Sequence, residues 1–208
     1  MNQQQQTGIT INNLFYTLED IEKDCWIRLM NGALKSKDAF HVTSVATFNN
    51  DSIDLRTVVL RKVLPNDKVV RFHTDIRSHK WSALQKNNTI SLLFYDAASR
   101  IQIRLKGKAY LHYSDTIAMD AWQNTVLSSR RCYLATQAPS SVIDYPTSGL
   151  SEKFELHDPT VSESELGKNN FGVVSIKVAS LDWLWLHHSG HRRAYFDYLF
   201  QSLTWLIP

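Results

Sequence analysis

Residues 55–80, with the sequence LRTVVLRKVLPNDKVVRFHTDIRSHK, constrain the fold of this chain more than any other stretch. Two runs rich in valine and leucine, at 58–64 and 69–72, have the composition of half-buried β-strands. Pro65-Asn66-Asp67 lies between the runs and predicts a tight turn. The stretch is therefore predicted to form a β-hairpin, followed by a helix that begins near Lys80 and has Ser78 as its N-cap.

Other parts of the chain also have the pattern of strands joined by short turns. From Ile101 to Lys106 aliphatic and polar residues alternate, so Gln102 lies on a polar face and the aliphatic residues lie on the other. Gly107 interrupts the alternation and predicts a bulge. In addition to the hairpin, strands are expected at 40–48, 90–95, 100–113, 171–178, 180–187, 191–196 and 202–207. Helices are expected at 14–34, 78–88 and 114–128.

Antiparallel strands with short turns and few helices favour a mainly β protein with peripheral α-helices, in which the sheet closes or nearly closes into a barrel. A polar connection at 135–170, with at most one short helix near 151–156, is expected to be a functional or mobile loop. The 208 residues, 43% of them hydrophobic, predict a single domain at 13–208 after a disordered polar tail at 1–12.

Composition also bounds the partners and the compartment. A formal net charge of +3 is too small to predict nucleic-acid binding. No stretch reaches the roughly 18 apolar residues of a membrane span, so no membrane partner is expected. Cys25 and Cys132 lie far apart without metal-ligand spacing, which favours a reduced, cytoplasmic compartment over the alternative of a structural disulfide.

Common catalytic motifs are missing from the sequence. It contains no phosphate-binding P-loop, no G-x-G-x-x-G, no G-x-S-x-G and no H-E-x-x-H pattern. His187, His188 and His191 could form a metal site or be surface histidines. Because only Asp182 lies near them as a carboxylate, surface histidines are favoured and no metal is expected.

Cations and hydroxyl groups cluster in the sequence around the predicted hairpin. Arg56 and Arg61 bracket its first strand, and a run from Thr74 to Lys80 follows its second strand directly. Charged residues at the ends of a surface hairpin are commonly just solvated. The alternative is that backbone N–H groups at the helix N-terminus, a hydroxyl and several cations converge to bind a phosphate.

The order of these residues resembles a known family. The patterns are R-T-V-V-L-R at 56–61, F-H-T-D-x-x-S-H-K at 72–80, S-L-L-F at 91–94 and Q-I-R-L-K-G-K-A at 102–109. Together they resemble the pyridoxamine 5′-phosphate oxidase-like family, from about Phe40 onward. The resemblance implies a six-stranded antiparallel Greek-key split β-barrel, the cofactor FMN, and a homodimer with FMN at the subunit interface acting on a small-molecule substrate.

The resemblance also assigns residues to the cofactor. The phosphate would be held by cations and hydroxyls, the backbone of residues 57–59 would lie along the flavin ring, and one glutamine would come from the partner subunit. The implied cofactor-binding residues are Arg56, Thr57, Val58, Val59, Arg61, His73, Thr74, Ser78, His79, Lys80, Gln102, Gln137, Trp185 and Arg193. Arg61 and Arg192 are the candidates for contacts with a substrate anion, and no catalytic acid or base is evident.

The chain departs from the family where true oxidases hold the substrate phosphate. Asp120, Asn124 and Ser128 occupy positions that carry a tyrosine, an arginine and a serine in those enzymes. An aspartate repels a phosphate and an asparagine lacks the charge of an arginine, so this half of the site is expected to be lost or rebuilt, with Arg130 and Arg131 as candidates.

The expected function is therefore that of an FMN-dependent oxidoreductase with an altered substrate site. Three alternatives remain open at this point: a flavin reductase that uses NAD(P)H, a flavin- or haem-binding module without turnover, and a barrel that binds single-stranded nucleic acid. The small net charge argues against the last of these.

Overall fold

The computed structural model describes residues 7–11 and 13–208, and its centre is a closed antiparallel β-barrel. Six strands form the barrel in the order β8-β5-β4-β3-β6-β7, and pairing between β8 and β7 closes it. The barrel strands are β3 (Val42–Asn49), β4 (Ser52–Leu64), β5 (Val69–Asp75), β6 (Thr89–Asp96), β7 (Ile101–His112) and β8 (Phe171–Trp185). The predicted mainly β split-barrel fold is confirmed.

The remaining elements lie around this barrel. Strands β9 (Arg192–Asp197) and β10 (Ser202–Leu206) extend the sheet beyond β8, while β1 (Ile9–Ile11) and β2 (Leu14–Tyr16) form a separate two-stranded ribbon. The helices are α1 (Leu18–Leu34), α2 (His79–Lys86), α3 (Thr116–Gln123), α4 (Leu127–Arg130), α5 (Glu152–Leu156) and α6 (Val161–Ser164), with 3₁₀ turns at Arg131–Leu134 and Glu165–Asn170.

The period-two alternation of the strands fills the barrel. On β7, Ile101, Ile103 and Leu105 are buried and point inward, whereas the intervening Gln102 and Arg104 lie on the outer face. The predicted bulge is present, because the register of β7 against β8 shifts between Lys106 and Gly107. The main core therefore contains the inward faces of the barrel strands and part of α1, and a second buried cluster of Trp122, Tyr133, Phe171 and Val173 packs outside β8.

Strand β8 is hydrogen-bonded to three other strands, β5, β7 and β9. Its first half pairs with β5, its second half pairs with β9, and its other edge pairs with β7 along the length from 173 to 185. The sequence predicted two strands here, at 171–178 and 180–187, and that prediction is wrong. The interruption near Ala179 marks the place where β8 changes its neighbour, and the backbone continues through it without a turn.

Two other sequence predictions are corrected near the N-terminus. Helix α1 begins at Leu18, not at residue 14, because Thr17 and Asp20 form a reciprocal capping box at that point. Residues 9–11, which were expected in a disordered tail, form β1 and pair with β2. Residues 1–6 and 12 of that tail lie outside the described residues.

The termini of the other helices agree more closely with the sequence. Asp115 caps α3 by accepting a hydrogen bond from the backbone N–H of Ala118 at 2.8 Å. The expected helix at 114–128 is divided, because α3 ends at Gln123 and a separate turn of helix begins at Leu127. The short helix expected near 151–156 is present as α5.

Within residues 7–11 and 13–208, no helix is long and apolar enough to cross a membrane. Cys25 is buried, Cys132 is exposed, and both are free thiols. The predicted reduced compartment stays a prediction.

Gly107 is required by close packing at the bulge. A Cβ atom added to it would lie 2.1 Å from the carbonyl oxygen of Lys177 on β8. We expect Gly107→Ala to lower the free energy of unfolding by about 2 kcal/mol, because the backbone of β8 would have to shift. Urea denaturation measures this loss. Lys106→Ala, an exposed change on the same strand, serves as the control and should stay within about 0.5 kcal/mol of the parent protein. Equal stability of the two variants would contradict the packing argument.

Candidate functional site

A cavity of about 570 Å³ opens where the β4–β5 hairpin, the start of α2 and the loop after residue 131 meet. The cavity residues of β4 and β5 lie in paired parts of the barrel wall, and the chain from Cys132 to Leu150 lines the other side of the cavity. The sequence-predicted residues that line the cavity are Thr57, Val58, His73, Thr74, Lys80 and Gln137. The structure therefore brings together residues from four separate parts of the chain.

Two hydroxyls and an ammonium group form a compact cluster at one side of this cavity. Lys80 Nζ donates to Thr74 Oγ1 at 2.7 Å and to Ser78 Oγ at 3.4 Å, and the two hydroxyl oxygens are 3.3 Å apart. Ser78 occupies the predicted N-cap position, but its hydroxyl donates to the carbonyl oxygen of Asp75 at 2.7 Å and makes no capping bond. The N–H groups in the first turn of α2 are consequently not satisfied by the Ser78 side chain.

The cluster carries excess positive charge. Burial lowers the pKa of Lys80, the nearby charge of Arg56 lowers it further, and Asp75 acts in the opposite direction. Arg56 donates from Nη1 to Thr47 Oγ1 at 2.5 Å and forms an ion pair with Asp54 at 3.1 Å. An anion beside Lys80 would stabilise the charged form of the lysine and so offset the cost of burying it and the repulsion from Arg56. The cluster therefore favours a negatively charged ligand.

Asp75 and Arg77 tie this cluster to the covering loop. The Asp75 carboxylate accepts hydrogen bonds from Arg77 Nε at 3.0 Å and from Arg77 Nη2 at 2.7 Å. Arg77 Nη2 also donates to the carbonyl oxygen of Ala135 at 3.0 Å, two residues before Gln137. Sequence reasoning missed this connection, because the D-x-R spacing gives no sign that the arginine reaches a loop almost sixty residues away.

His73 lies between this cavity and a second one. Its ring packs edge-on against Phe171, with 4.8 Å between the ring centroids. Burial, followed by the charge of Arg61, lowers the pKa of His73 from 6.5 to about 4. The imidazole is therefore neutral at pH 7 and presents an uncharged planar ring to the cavity.

The second cavity, of about 260 Å³, lies between the hairpin and α3. Arg61, Lys62 and Arg71 line it from the strands, and Asp120 and Asn124 line it from the helix side. Lys62 Nζ lies 3.7 Å from Asp120 Oδ2, and Asn124 Nδ2 donates to Asp120 Oδ1 at 3.1 Å. The two residues that depart from the family pattern thus hydrogen-bond to each other.

Arg130 and Arg131, the candidates for rebuilding the substrate site, are both engaged elsewhere in the structure. Arg130 is buried and donates to Ser164 Oγ at 3.1 Å and to the carbonyl oxygen of Thr125 at 3.0 Å. Arg131 pairs with Asp158 at 3.4 Å. Neither arginine lines the second cavity, because both brace the long connection.

Several predicted residues lie away from the first cavity in this chain. His79 is exposed at the first position of α2, and Val59 is paired with Val42 on β3. Gln102 lies on the outer face of the barrel, opposite Tyr95 and Leu184. The other predicted residues that do not line this cavity are Arg56, Arg61, Ser78, Trp185, Arg192 and Arg193; of these, Arg61 lines the second cavity and Ser78 contacts Lys80.

At the end of β7, β8 and β9, Gln102 and Arg193 lie on the outer face, whereas Trp185 and Arg192 lie on the opposite face and Trp185 packs against the core. Leu184 pairs with both Gln102 and Arg193, and Trp185 pairs with Arg192. Arg193 Nη2 forms an ion pair with Asp182 at 2.7 Å, and the side chain of Arg192 donates to the carbonyl oxygen of His191 at 2.8 Å.

The histidine cluster near residue 190 does not form a metal site. Within the described parts of the chain, no group of three or more His, Cys, Asp and Glu side chains could hold a metal ion. The ring of His187 stacks on Trp185 at 4.4 Å between centroids, and its Nδ1 lies 2.6 Å from Ser189 Oγ.

The six-stranded antiparallel barrel has the split-barrel fold found in FMN-binding proteins. Residues 23–113 match the family described as "Pyridoxamine 5'-phosphate oxidase, FMN-binding domain". The resemblance predicted from the sequence is confirmed over that region. No curated protein matches the chain in sequence.

Solved structures of related proteins share the fold over nearly the whole chain. A pyridoxamine 5′-phosphate oxidase-related, FMN-binding protein from Nostoc punctiforme is 20% identical with a TM-score of 0.69, and the match covers 89% of this chain and 97% of the other. PhzG from Burkholderia lata, solved with tetrahydrophenazine-1-carboxylic acid, is 15% identical with a TM-score of 0.71 and coverage of 96% and 100%. A protein of the pyridoxinephosphate oxidase family from Clostridium acetobutylicum is 15% identical, with a TM-score of 0.54 and coverage of 87% and 99%.

The buried, neutral His73 should make stability depend on pH. Its pKa is lower in the folded state than in the unfolded state, so below pH 6.5 the unfolded chain binds the proton more readily. Stability should therefore fall as the pH decreases from 6.5 towards 4, by up to about 3 kcal/mol from this group. Urea denaturation at several pH values should show a shallower dependence in His73→Phe than in the parent protein. The exposed variant His79→Phe is the control, and the same slope in all three proteins would contradict the assignment.

Proposed function

We propose that this chain is an FMN-dependent oxidoreductase whose phosphate site is the cluster formed by Arg56, Thr74, Ser78 and Lys80. The observation that carries the proposal is the contact of Lys80 Nζ with Thr74 Oγ1 at 2.7 Å, in a half-buried site with excess positive charge. A phosphate group needs both charge and several hydrogen-bond donors, and this cluster offers both. The match of residues 23–113 to an FMN-binding domain family supports the choice of ligand.

The rest of the cavity suits the remainder of FMN. Its volume of about 570 Å³ lies within the range typical of cofactor sites. Thr57 and Val58 on β4 offer backbone N–H and C=O groups along one wall, as a flavin ring requires. Gln137 lies in the covering loop, where Arg77 holds the preceding residues. The residues present therefore fit FMN, with the phosphate beside α2.

FMN, when bound, supplies the redox chemistry by accepting or donating a hydride. The contribution of the chain is to bind and orient. Lys80 and Arg56 neutralise the phosphate, the loop around Gln137 excludes water, and His73 keeps an uncharged ring beside the site at pH 7. No described side chain in the cavity has the arrangement of a general acid or base, so substrate positioning is the main role left to the protein.

The distribution of the site residues supports a homodimer. His73, Thr74 and Lys80 line the first cavity, and the charge of Arg56 acts on Lys80, whereas Gln102 lies on the outer barrel face. A second copy would place the outer face of one subunit against the cavity of the other, which would complete each site. In that arrangement the partner subunit's Gln102 and Arg193, which share this face, would approach the flavin.

An apolar surface on the same outer face supports this arrangement. Ile53 and Leu55 on β4 are 66% and 69% exposed, and Leu93 and Tyr95 on β6 are 41% and 47% exposed. Tyr95 is paired with Gln102, so the apolar surface and the predicted partner residue share one face. Contiguous exposed apolar residues mark a protein interface, and we infer that a second copy covers them.

Oxidation of pyridoxamine 5′-phosphate itself is not part of the proposal. Asp120 and Asn124 bind each other where the oxidases hold the substrate phosphate. The free thiols agree with action in the cytoplasm. A flavin reductase activity would be recognised by oxidation of NAD(P)H by the FMN-loaded protein.

Removing either phosphate-binding cation should weaken FMN binding. We expect Arg56→Ala and Lys80→Ala to raise the dissociation constant about 30-fold or more, which corresponds to about 2 kcal/mol for a lost charged contact. Quenching of flavin fluorescence on titration measures the affinity. Lys86→Ala, an exposed change in the last turn of α2, is the matched control and should bind FMN normally. Unchanged affinity in both site variants would refute the phosphate assignment.

A charge on the outer face should separate the subunits. We expect Leu55→Asp to shift the protein from dimer to monomer, because the carboxylate would be buried without a partner in the interface. Analytical ultracentrifugation measures the mass, and FMN affinity should fall together with it. Leu199→Asp, equally exposed beyond β9, should leave the dimer intact. A dimer that persists in Leu55→Asp would exclude this face as the interface.

A further inference from the structure

The second cavity contains positive charge that the protein does not neutralise. Three cations line it, Arg61, Lys62 and Arg71, and Asp120 is the one carboxylate among its lining residues. Asp120 is engaged with Lys62 at 3.7 Å. Within residues 7–11 and 13–208, Arg61 and Arg71 form no ion pair and no side-chain hydrogen bond, and Arg71 Nε is buried without a partner.

The hairpin brings these cations together through a bulge. Leu60 pairs with Phe72 and Lys62 pairs with Arg71, so Arg61 is the additional residue where the register shifts. A bulge redirects a side chain, and in this hairpin it places two cations of β4 opposite one cation of β5. Like charges at opposed positions of a sheet are destabilising. Such a cost is offset when a ligand of opposite charge binds between them.

The second cavity also adjoins the proposed cofactor site. His73 lines both cavities, and the charge of Arg61 contributes to the low pKa of this histidine. A ligand held by Arg61 and Arg71 would therefore have its remaining atoms beside His73. A volume of about 260 Å³ accommodates one anionic group and a small adjoining portion of a molecule, not a whole nucleotide cofactor.

We propose that Arg71, together with Arg61, binds an oxyanion group of the substrate in this cavity and thereby determines substrate specificity. The inference rests on the proposed function, because it treats the first cavity as the FMN site. The guanidinium group is planar and donates paired hydrogen bonds, so it suits a carboxylate or a phosphate. The anion is held from strands β4 and β5, and α3 contributes Asp120, which compensates Lys62.

The test measures binding of two probes, benzoate and phenyl phosphate, to the FMN-loaded protein by calorimetry. We expect at least one probe to bind, and Arg71→Gln to weaken that probe about tenfold or more. Arg71→Lys keeps the charge but cannot donate the paired hydrogen bonds of a guanidinium group. Its affinity for the probe should therefore lie between those of the parent protein and Arg71→Gln. Arg100→Gln, an exposed arginine away from both cavities, is the matched control and should bind like the parent protein.

The two probes and a second readout separate the possible results. The tighter probe identifies the group as carboxylate or phosphate. Bound anion should also raise the pKa of His73, measured from its ring signals by NMR, in the parent protein and not in Arg71→Gln. Normal FMN affinity in Arg71→Gln would show that this variant is folded. Failure of both probes to bind, or equal binding in Arg71→Gln and the parent protein, would overturn the proposal.

The same measurements distinguish this proposal from the proposed function. If the protein binds no FMN, the cofactor assignment fails, and the probes are then titrated into the flavin-free protein. Binding that depends on Arg71 under those conditions would retain the anion site without the flavin. FMN binding with no Arg71-dependent probe binding would retain the flavin site and reject the anion site.

Discussion

The pairing of β8 with both β5 and β7 is the constraint on which the rest of the structure depends. Through β7 it closes the barrel, and through β5 it holds the strand that carries Arg71, His73 and Thr74. The contact is close, since a Cβ at Gly107 would collide with the backbone of β8. Both cavities therefore have a rigid wall, while the covering chain from residue 132 onward is attached through side chains such as Arg77.

Electrostatics distinguishes the two cavities more clearly than shape does. In the first cavity a half-buried lysine lies among hydroxyls and near a second cation, an arrangement that suits a group with high negative charge. In the second cavity two guanidinium groups lack partners among the described residues, while the helix beside them carries an aspartate. His73, which is buried and neutral, lies between them. Under the proposed function, the first cavity would hold the phosphate of the cofactor, and the cations of β4 and β5 would bind an anionic group of the substrate in the second.

Much of the barrel could be predicted because its signals are local. The alternation along β7 and the glycine at the bulge each follow from neighbouring residues, and both are present in the structure. The error at β8 has a different origin. Ala179 disturbs the strand pattern, and whether the chain turns or continues there depends on which strands lie on either side. Similarly, Ser78 has the right position for an N-cap, but the carbonyl of Asp75 lies closer to its hydroxyl.

The sequence by itself determined the fold class, the family resemblance and the residues around the candidate phosphate site, because strand periodicity and the spacing of cations and hydroxyls lie within short segments. The tertiary structure alone decided which cations remain available for a ligand. Arg130, Arg131 and Arg193 looked like candidates, but each is paired with residues distant in sequence. Arg71 received no role from its sequence context, yet it lines the second cavity without a partner for its Nε. The physical reason is that charge compensation acts through space, so a cation is free or satisfied only after folding selects its neighbours.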